Sequence, residues 1–515
     1  MLIELSLSFL RMLTAYIISL GIAYSLGYIL AKDKIMEKIF MPFIDILQSV
    51  PILTFFPIAL YLIIKTIPYG LGPEIAVIFL IVTSMVWNLI FAVYESMLSL
   101  PSSLKEIIKM FKLDAINRFF MIYVPNSLRS VIPNSMVSWA NGWYFLIATE
   151  IISIGNEEYR LQGIGSFLME NASNGNLNAV FMGIAAVTLL ILAMNQLIWR
   201  PLITILDQFY VKKKEFNVYI FIASRLGFSK SNTFILKAIS TLYSSLVKLI
   251  KRMLMRYIED LEGFAVQLIG GIKALMLVSF MIFLIWFVVV SIDIVKEVGD
   301  EIFDVSYAFI LSFLRILIAL ILSLAWTLPV VYFMSKSKTL ESILLPMFEI
   351  IAAIPVTALF PVVIILLMNA FPLEVVVLIF LMTGMQWYIL FNVYGGLKTI
   401  PKEFYDLKIL FRIPEEKFLK KIVLPVVLPL LIVGMMSAVG GGWNAVIVAE
   451  YIPTSENIAS VPGIGSLMSY GLKEGNLSLV YLTALSVGIT VPLINIFIWR
   501  PLLKKAGKRK GAGWI

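Results

Sequence analysis

Cysteine and histidine are both absent from the 515 residues, and acidic side chains are few, 32 against 41 lysines and arginines. Without thiols or imidazoles there can be no disulfide, no Cys- or His-ligated metal, no cysteine nucleophile and no serine–histidine triad. Also missing is any Gly-x-x-x-x-Gly-Lys-Ser/Thr segment, the loop that cradles nucleotide phosphates. Charge itself is scarce: 14% of residues carry one, 60% are hydrophobic, and mean hydropathy is +0.95. So little charge cannot coat a water-soluble domain.

What is present in quantity is long apolar runs. A run that crosses about 30 Å of hydrocarbon must satisfy its own backbone, which makes helices the expected element and an all-α polytopic membrane protein the expected fold. The runs fall at 5–30, 43–66, 74–97, 127–151 and 177–203, then at 307–334, 345–369, 374–397, 427–451 and 477–503. The first holds Arg11 and lacks a small-residue cleavage site, which reads as a membrane helix and not as a removable signal.

The two sets are copies. Pro101 through Glu150 aligns without a gap on Pro401 through Glu450, Gly163-Ile-Gly-Ser166 on Gly463-Ile-Gly-Ser466, Gly175-Asn-Leu177 on Gly475-Asn-Leu477, and Trp199-Arg-Pro on Trp499-Arg-Pro. Upstream the offset is 304, so Ser8-Phe-Leu-Arg11 meets Ser312-Phe-Leu-Arg315, and Pro42, Pro51 and Pro57 meet Pro346, Pro355 and Pro361. The offset becomes 300 by Glu74 and Glu374, which places the length difference in an outer turn. Paired repeats are a common way for transporters to enclose a pathway.

Five spans reverse the chain, so two such units in tandem would face opposite ways. Their basic loops require the same way, and the unmatched run Ala274 to Val290 supplies the extra crossing, for about eleven spans. Lys32, Lys34 and Lys38, then Lys105, Lys109, Lys112 and Arg118, and the tail from Lys504 to Lys510 mark the cytoplasmic side. The expected topology is a cell-membrane protein with its amino terminus outside and its carboxyl terminus inside. The net charge of +9 is then a topogenic signal that does not call for nucleic acid. The expected organisation is a first unit over 1–206, a basic cytoplasmic linker over 207–270, the additional helix over 271–294 and a second unit over 295–515. Within the linker, apolar residues recur at three- and four-residue steps from Leu236 to Tyr257 beside Lys248, Lys251, Arg252 and Arg256. That pattern fits an amphipathic helix on the inner leaflet or one docked on a cytoplasmic subunit.

The most specific signal is the loop after the third span of each unit. It runs from Pro101 through Glu106, Ile107, Met110 and Phe111 to Pro125, and again from Pro401 through Asp406, Leu407, Leu410 and Phe411 to Pro425. In both copies the proline follows the acid by nineteen residues. A short amphipathic helix here presents one apolar face to a groove on a soluble partner, with the acid beside it for a basic group. Pro125 and Pro425 then begin the next helix, where a missing N–H is harmless.

This loop resembles the EAA loop of binding-protein-dependent ATP-binding-cassette import permeases. The family's pattern has a Gly six residues after the acid; here Lys112 and Arg412 stand there, and Glu-Ala-Ala is Glu-Ile-Ile and Asp-Leu-Lys. Trp143 to Glu150 followed by Gly163-Ile-Gly165, with its second copy, resembles the nitrate, sulfonate and taurine branch. The resemblance spans about 5–203 and 307–503. It implies the type I importer permease fold, an alternating-access pathway, two separate nucleotide-binding ATPase subunits that hold ATP and Mg while this chain binds no cofactor, an external solute-binding protein, and a small-anion substrate such as nitrate, sulfonate or taurine. The coupling contacts would be Glu106, Ile107, Met110, Phe111 and Pro125 with their counterparts Asp406, Leu407, Leu410, Phe411 and Pro425. The alternative is an ion-coupled secondary transporter with parallel repeats, which would need intramembrane carboxylates near the midplane, where the sequence places none.

Charges inside spans need partners. Arg11 and Arg315 lie in the outer half of each first span and Glu150 and Glu450 near the outer end of each fourth, so two intra-unit ion pairs are expected, Arg11 with Glu150 and Arg315 with Glu450. Substrate contacts are expected where the copies differ: Asn88 opposite Tyr388, Asn392 opposite Ala92, Asn141 opposite Gly441 and Asn444 opposite Tyr144. Each amide is equally suited to an interhelical hydrogen bond.

Overall fold

A computed structural model describes residues 1–67, 71–111, 118–154, 157–199, 202–203, 271, 273–282, 301–368, 370–453 and 458–511, with a few more between 285 and 292. The expected 207–270 linker and its amphipathic stretch lie outside the described residues.

The first unit contains α1 (Leu2–Lys32), α2 (Lys34–Ser49), α3 (Ile52–Thr66), α4 (Gly72–Leu98), α5 (Ser102–Met110), α6 (Val124–Thr149), the hairpin β1 (Ile151–Ile154) and β2 (Glu157–Arg160), α7 (Ile164–Ser173) and α8 (Leu177–Met194). A separate helix, α9, runs over Lys273–Ile282. The second unit repeats the order as α10 (Ile302–Lys336), α11 (Lys338–Ala352), α12 (Val356–Leu367), α13 (Leu373–Lys398), α14 (Lys402–Leu410), the single turn α15 (Glu415–Phe418), α16 (Leu424–Ala449), β3 (Tyr451–Pro453), β4 (Ile458–Ser460), α17 (Ile464–Glu474), α18 (Leu477–Ile494) and α19 (Arg500–Gly511). Both hairpins are antiparallel, with Ile151 opposite Arg160 and Tyr451 opposite Ser460.

Local sequence explains the boundaries. Asp33 accepts from the N–H groups of Ile35 and Met36 to start α2, and its counterpart Ser337 accepts from Leu340 to start α11. The repeated Gly-Asn-Leu is a stop and a start: Gly175 and Gly475 adopt φ of +71° and +72° to end one helix, and Asn176 and Asn476 cap the next. Widened π-turns at 119–123 and 419–423 lead into α6 and α16, placing Pro125 and Pro425 in the first turn of each.

The expected single spans at 43–66 and 345–369 are instead broken helices. Val50 is extended before Pro51, because a proline ring disfavours the helical conformation in the residue ahead of it, and Pro355 interrupts the second copy likewise. Among the described residues, seven helices are long and apolar enough to cross a membrane. The remaining four of the eleven expected spans are these two broken helices, α6 with its Asn126, Arg129, Asn134 and Asn141, and α9, whose described part is short.

Each bundle is centred on three helices, α1 against α4 against α6, and α10 against α13 against α16. The half-helices after the breaks bridge the two units, α3 packing on α4 and α12 on α13 at home as well. α3 packs on α16 and α18 of the second unit, and α12 packs on α6, α7 and α8 of the first, so that Leu53 belongs to the second unit's core and Ala358 to the first's. α9 is fastened to the first unit: Lys273 Nζ lies 2.8 Å from Asp33 Oδ2, which holds that carboxyl below its usual range, and the Phe280 ring lies 5.2 and 4.8 Å from those of Phe40 and Phe43. Trp199 is buried against Tyr16 and Trp139.

Candidate functional site

Three arrangements carry chemistry: a buried charge cluster in each unit, the junction where the units exchange arms, and the short helix at the far end of each bundle.

In the first unit Arg11 on α1 reaches two carboxylates. Its Nη1 lies 2.9 Å from Glu150 Oε1 at the end of α6, and its Nε and Nη2 donate to Glu74 at 2.7 and 2.5 Å in a fork. Nη1 also donates to the Gln162 carbonyl. Glu150 is fully buried, takes the Ser8 hydroxyl at 2.5 Å, and accepts the Gly165 N–H at 2.7 Å. That N–H opens α7, so the carboxylate occupies a helix amino terminus, where unpaired N–H groups and the helix dipole favour an anion. A Cβ on Gly163 would overlap the same carboxyl, which explains the glycine.

The second unit reproduces the arrangement. Arg315 Nη1 lies 2.7 Å from Glu450 Oε1, its Nε and Nη2 reach Glu374 at 2.7 and 2.6 Å, and Glu450 takes Ser312 at 2.7 Å and the Gly465 N–H at 2.8 Å. The structure thus brings together Arg11 with Glu150 and Arg315 with Glu450, and adds Glu74, Glu374, Ser8 and Ser312, which sequence reasoning missed as partners. Their signal was present: all four are repeated between the copies. Each cluster ties α1 or α10 to three further helices, α4, α6 and α7 or α13, α16 and α17.

At the junction, Asn444 Oδ1 accepts the Leu53 N–H at 3.3 Å, while its own amide donates to the Gly440 carbonyl at 3.1 Å. Reciprocally, the Thr357 hydroxyl donates to the Tyr144 carbonyl at 2.9 Å. The tip of each crossing half-helix is therefore held by the same repeat position of the other unit. Beside this junction lie the Thr54 hydroxyl and the Tyr144 hydroxyl, both buried without a protein partner. Of the other amides, Asn88 lies 3.5 Å from the Ser138 hydroxyl within its own unit and Asn392 bonds the Tyr388 carbonyl on its own helix. Asn141 is half-buried one helical turn before Tyr144. Only Asn444 of the four is seen reaching across.

The short helices α5 and α14 stand at the other end of α4 and α13 from the clusters, about 40 Å along a helix of this length. Their apolar side chains are uncovered: Met110 is 74% exposed and Phe111 68%, Leu410 74% and Phe411 68%, with Leu407 at 41%. Glu106 and Asp406 are exposed beside them, as are Pro125 at the far side of the loop and, in part, Pro425. For Ile107 the structure describes the backbone, which lies within α5.

Arg412 ends α14 with φ of +48°, and the N–H groups of Arg412 and Ile413 close back onto the Ile409 and Lys408 carbonyls at 3.2 and 2.9 Å. This left-handed turn is what the glycine of the EAA pattern would supply without strain. A non-glycine residue there costs about 1–2 kcal/mol, so Arg412→Gly is expected to stabilise the loop by about 1 kcal/mol, read as a raised unfolding temperature of the purified chain. A lower temperature would show that the guanidinium has a compensating contact. Lys112 lies outside the described residues.

Two helical bundles that exchange arms and each expose a short amphipathic helix at one end define a two-unit membrane permease. The sequence matches the family described as binding-protein-dependent transport system inner membrane component twice, over residues 23–198 and 328–499. The chain belongs to that family and carries two of its units in one polypeptide. It is similar to the bicarbonate transport system permease protein CmpB of Synechococcus elongatus, 26% identical over 162 residues, which is 32% of this chain and 55% of that protein. It is also similar to the nitrate import permease protein NrtB of Leptolyngbya laminosa, 22% identical over 195 residues, 38% of this chain and 65% of the relative. The match thus spans about half the length of the bicarbonate permease.

Proposed function

We propose that this chain is the complete pathway-forming part of an ATP-driven importer for a small oxyanion such as bicarbonate or nitrate, with both transmembrane halves fused. The observation that carries the reading is the pair of exposed apolar helices α5 and α14, one at the same end of each family unit, with Glu106 and Asp406 at matched positions. Two ATPase subunits dock there and hold ATP and Mg; this chain holds neither. An external solute-binding protein delivers the anion at the opposite face, which puts the amino terminus outside and the carboxyl terminus in the cytoplasm. Closure of the ATPase pair draws α5 and α14 together and rocks the two units between inward-open and outward-open states, a population shift driven by contacts that differ between them. Co-purification tests the reading: the tagged chain is expected to bring down an ATPase subunit from its native membrane. Its failure to do so, with transport intact after charge reversal at Glu106 and Asp406, would favour the ion-coupled alternative.

Bicarbonate and nitrate come from the names of the relatives. The anion passes by the half-helix tips, where Asn444 reaches the Leu53 backbone and Thr357 the Tyr144 backbone across the units. Asn88, Asn141 and Asn392 line the approaches on the helices flanking them. Asn444→Leu is expected to lower uptake about tenfold, the effect of losing roughly one hydrogen bond between the units, in a labelled-bicarbonate or labelled-nitrate assay. Unchanged uptake of both would remove Asn444 from the pathway.

A further inference from the structure

Docking at α14 would achieve nothing unless its movement reached the membrane helices, and the second unit contains a strut suited to that. Glu415, the first residue of α15, lies between two lysines on different elements. Lys408 of α14 is paired with its Oε2, and Lys336 at the inner end of α10 lies 3.0 Å from its Oε1. The Tyr332 hydroxyl, one turn back on α10, donates to the same Oε1 at 3.0 Å. Aromatic rings seat the two ammonium groups: Lys336 Nζ stands 4.4 Å from the Tyr332 ring and Lys408 Nζ 5.0 Å from that of Phe418, which is buried. An isolated surface ion pair contributes about 0–1 kcal/mol, but a carboxylate shared among three donors on two helices fixes geometry as a network.

α10 does not adjoin this loop in sequence, since α14 is joined directly to α13 and, through α15, to α16. Glu415 therefore supplies a direct connection between elements that are not neighbours in sequence. It also reaches far: Arg315 of the buried outer cluster lies on the same helix as Tyr332, about 26 Å away. In the first unit the sequence differs at the strut positions. Lys32 and Tyr28 match Lys336 and Tyr332, but Ile108 and Ala115 stand where Lys408 and Glu415 do. There the Lys32 ammonium goes to the Tyr123 hydroxyl, next to α6.

We propose that Glu415 is a positioning residue that makes the second coupling helix move as one body with α10, and that the two coupling helices are therefore mechanically unequal. The proposal rests on the docking role given to α14 above, and its test is independent of any ATPase. Because the chain contains no cysteine, pairs can be introduced without background. The full chain in lipid nanodiscs would carry spin labels at Ser335→Cys and Ile409→Cys for the second unit, and at Ala31→Cys and Lys109→Cys for the first. The 335–409 distance distribution is expected to be the narrower of the two. Glu415→Gln is expected to broaden it at least twofold while leaving 31–109 unchanged, and Lys408→Gln or Lys336→Gln, each removing one arm, to do the same if Glu415→Gln does not fold. Distributions of equal width in the two units, or a 335–409 width indifferent to all three substitutions, would overturn the strut and leave the docking reading standing. Loss of ATPase co-purification with the strut intact would do the reverse.

Discussion

Arg315→Ala is expected to cost about 3–5 kcal/mol of stability, the usual result of removing one partner of a buried ion pair. Glu450 has no exposed surface, and without the guanidinium it becomes a carboxylate held only by the Ser312 hydroxyl and the Gly465 N–H. Glu374 loses both of its guanidinium bonds at once, but it is half exposed and water can replace them. Arg11→Ala should behave in the same way, since the first cluster has the same members. The measurement is thermal unfolding in detergent, with the exposed Lys338→Ala as reference. A change no larger than that of the reference, within about 0.5 kcal/mol, would mean the cluster is not the clamp its geometry describes. Exchanging the charges, Arg315→Glu with Glu450→Arg, is not expected to rescue. The position at 450 faces the amino terminus of α17, whose N–H groups donate to an anion and repel a guanidinium.

Phe411→Asp is expected to weaken ATPase docking at least about 30-fold, and Phe411→Asp combined with Phe111→Asp to abolish it. Both rings are about two-thirds exposed at the ends of helices whose Leu104, Ile108 and Phe404 already pack on the bundles, and aromatic anchors of this kind contribute about 2–4 kcal/mol when they fill a pocket. An aspartate in such a pocket adds an unpaired buried charge to the lost contact. Neither ring supports the permease's own core, so the variant chain should still reach the membrane and keep its unfolding temperature. Retention of the ATPase by the double variant would sink the docking reading outright.

Much of this arrangement was legible because the chain contains its own second copy. Repeated Arg11 and Glu150 pointed to a pairing by charge and depth, and the repeated acid-to-proline spacing pointed to the short exposed helices. Glu74 was equally repeated, yet it served only to mark the register, since an acid at a span's first turn looks like a residue already in water. Only the fork of contacts from Arg11 reveals its role. The broken helices were missed for a different reason. Averaged hydropathy runs straight through Pro51 and Pro355, whereas the backbone restriction imposed by a proline acts on the one residue before it.

Membrane class, helical elements, the duplication and the exposed loop helices were determined by the sequence alone, because apolarity, helical period and capping are read from residues a few positions apart. The exchange of half-helices was decided only in the tertiary structure. Leu53 and Asn444 are 391 residues apart, and nothing in either neighbourhood names the other. Each half-helix packs on a helix of its own unit, α3 on α4 and α12 on α13, and on helices of the other unit at the same time. What it reaches in the other unit depends on the direction in which Pro51 or Pro355 turns the chain and on the space left between two assembled bundles, and those are properties of the packed molecule.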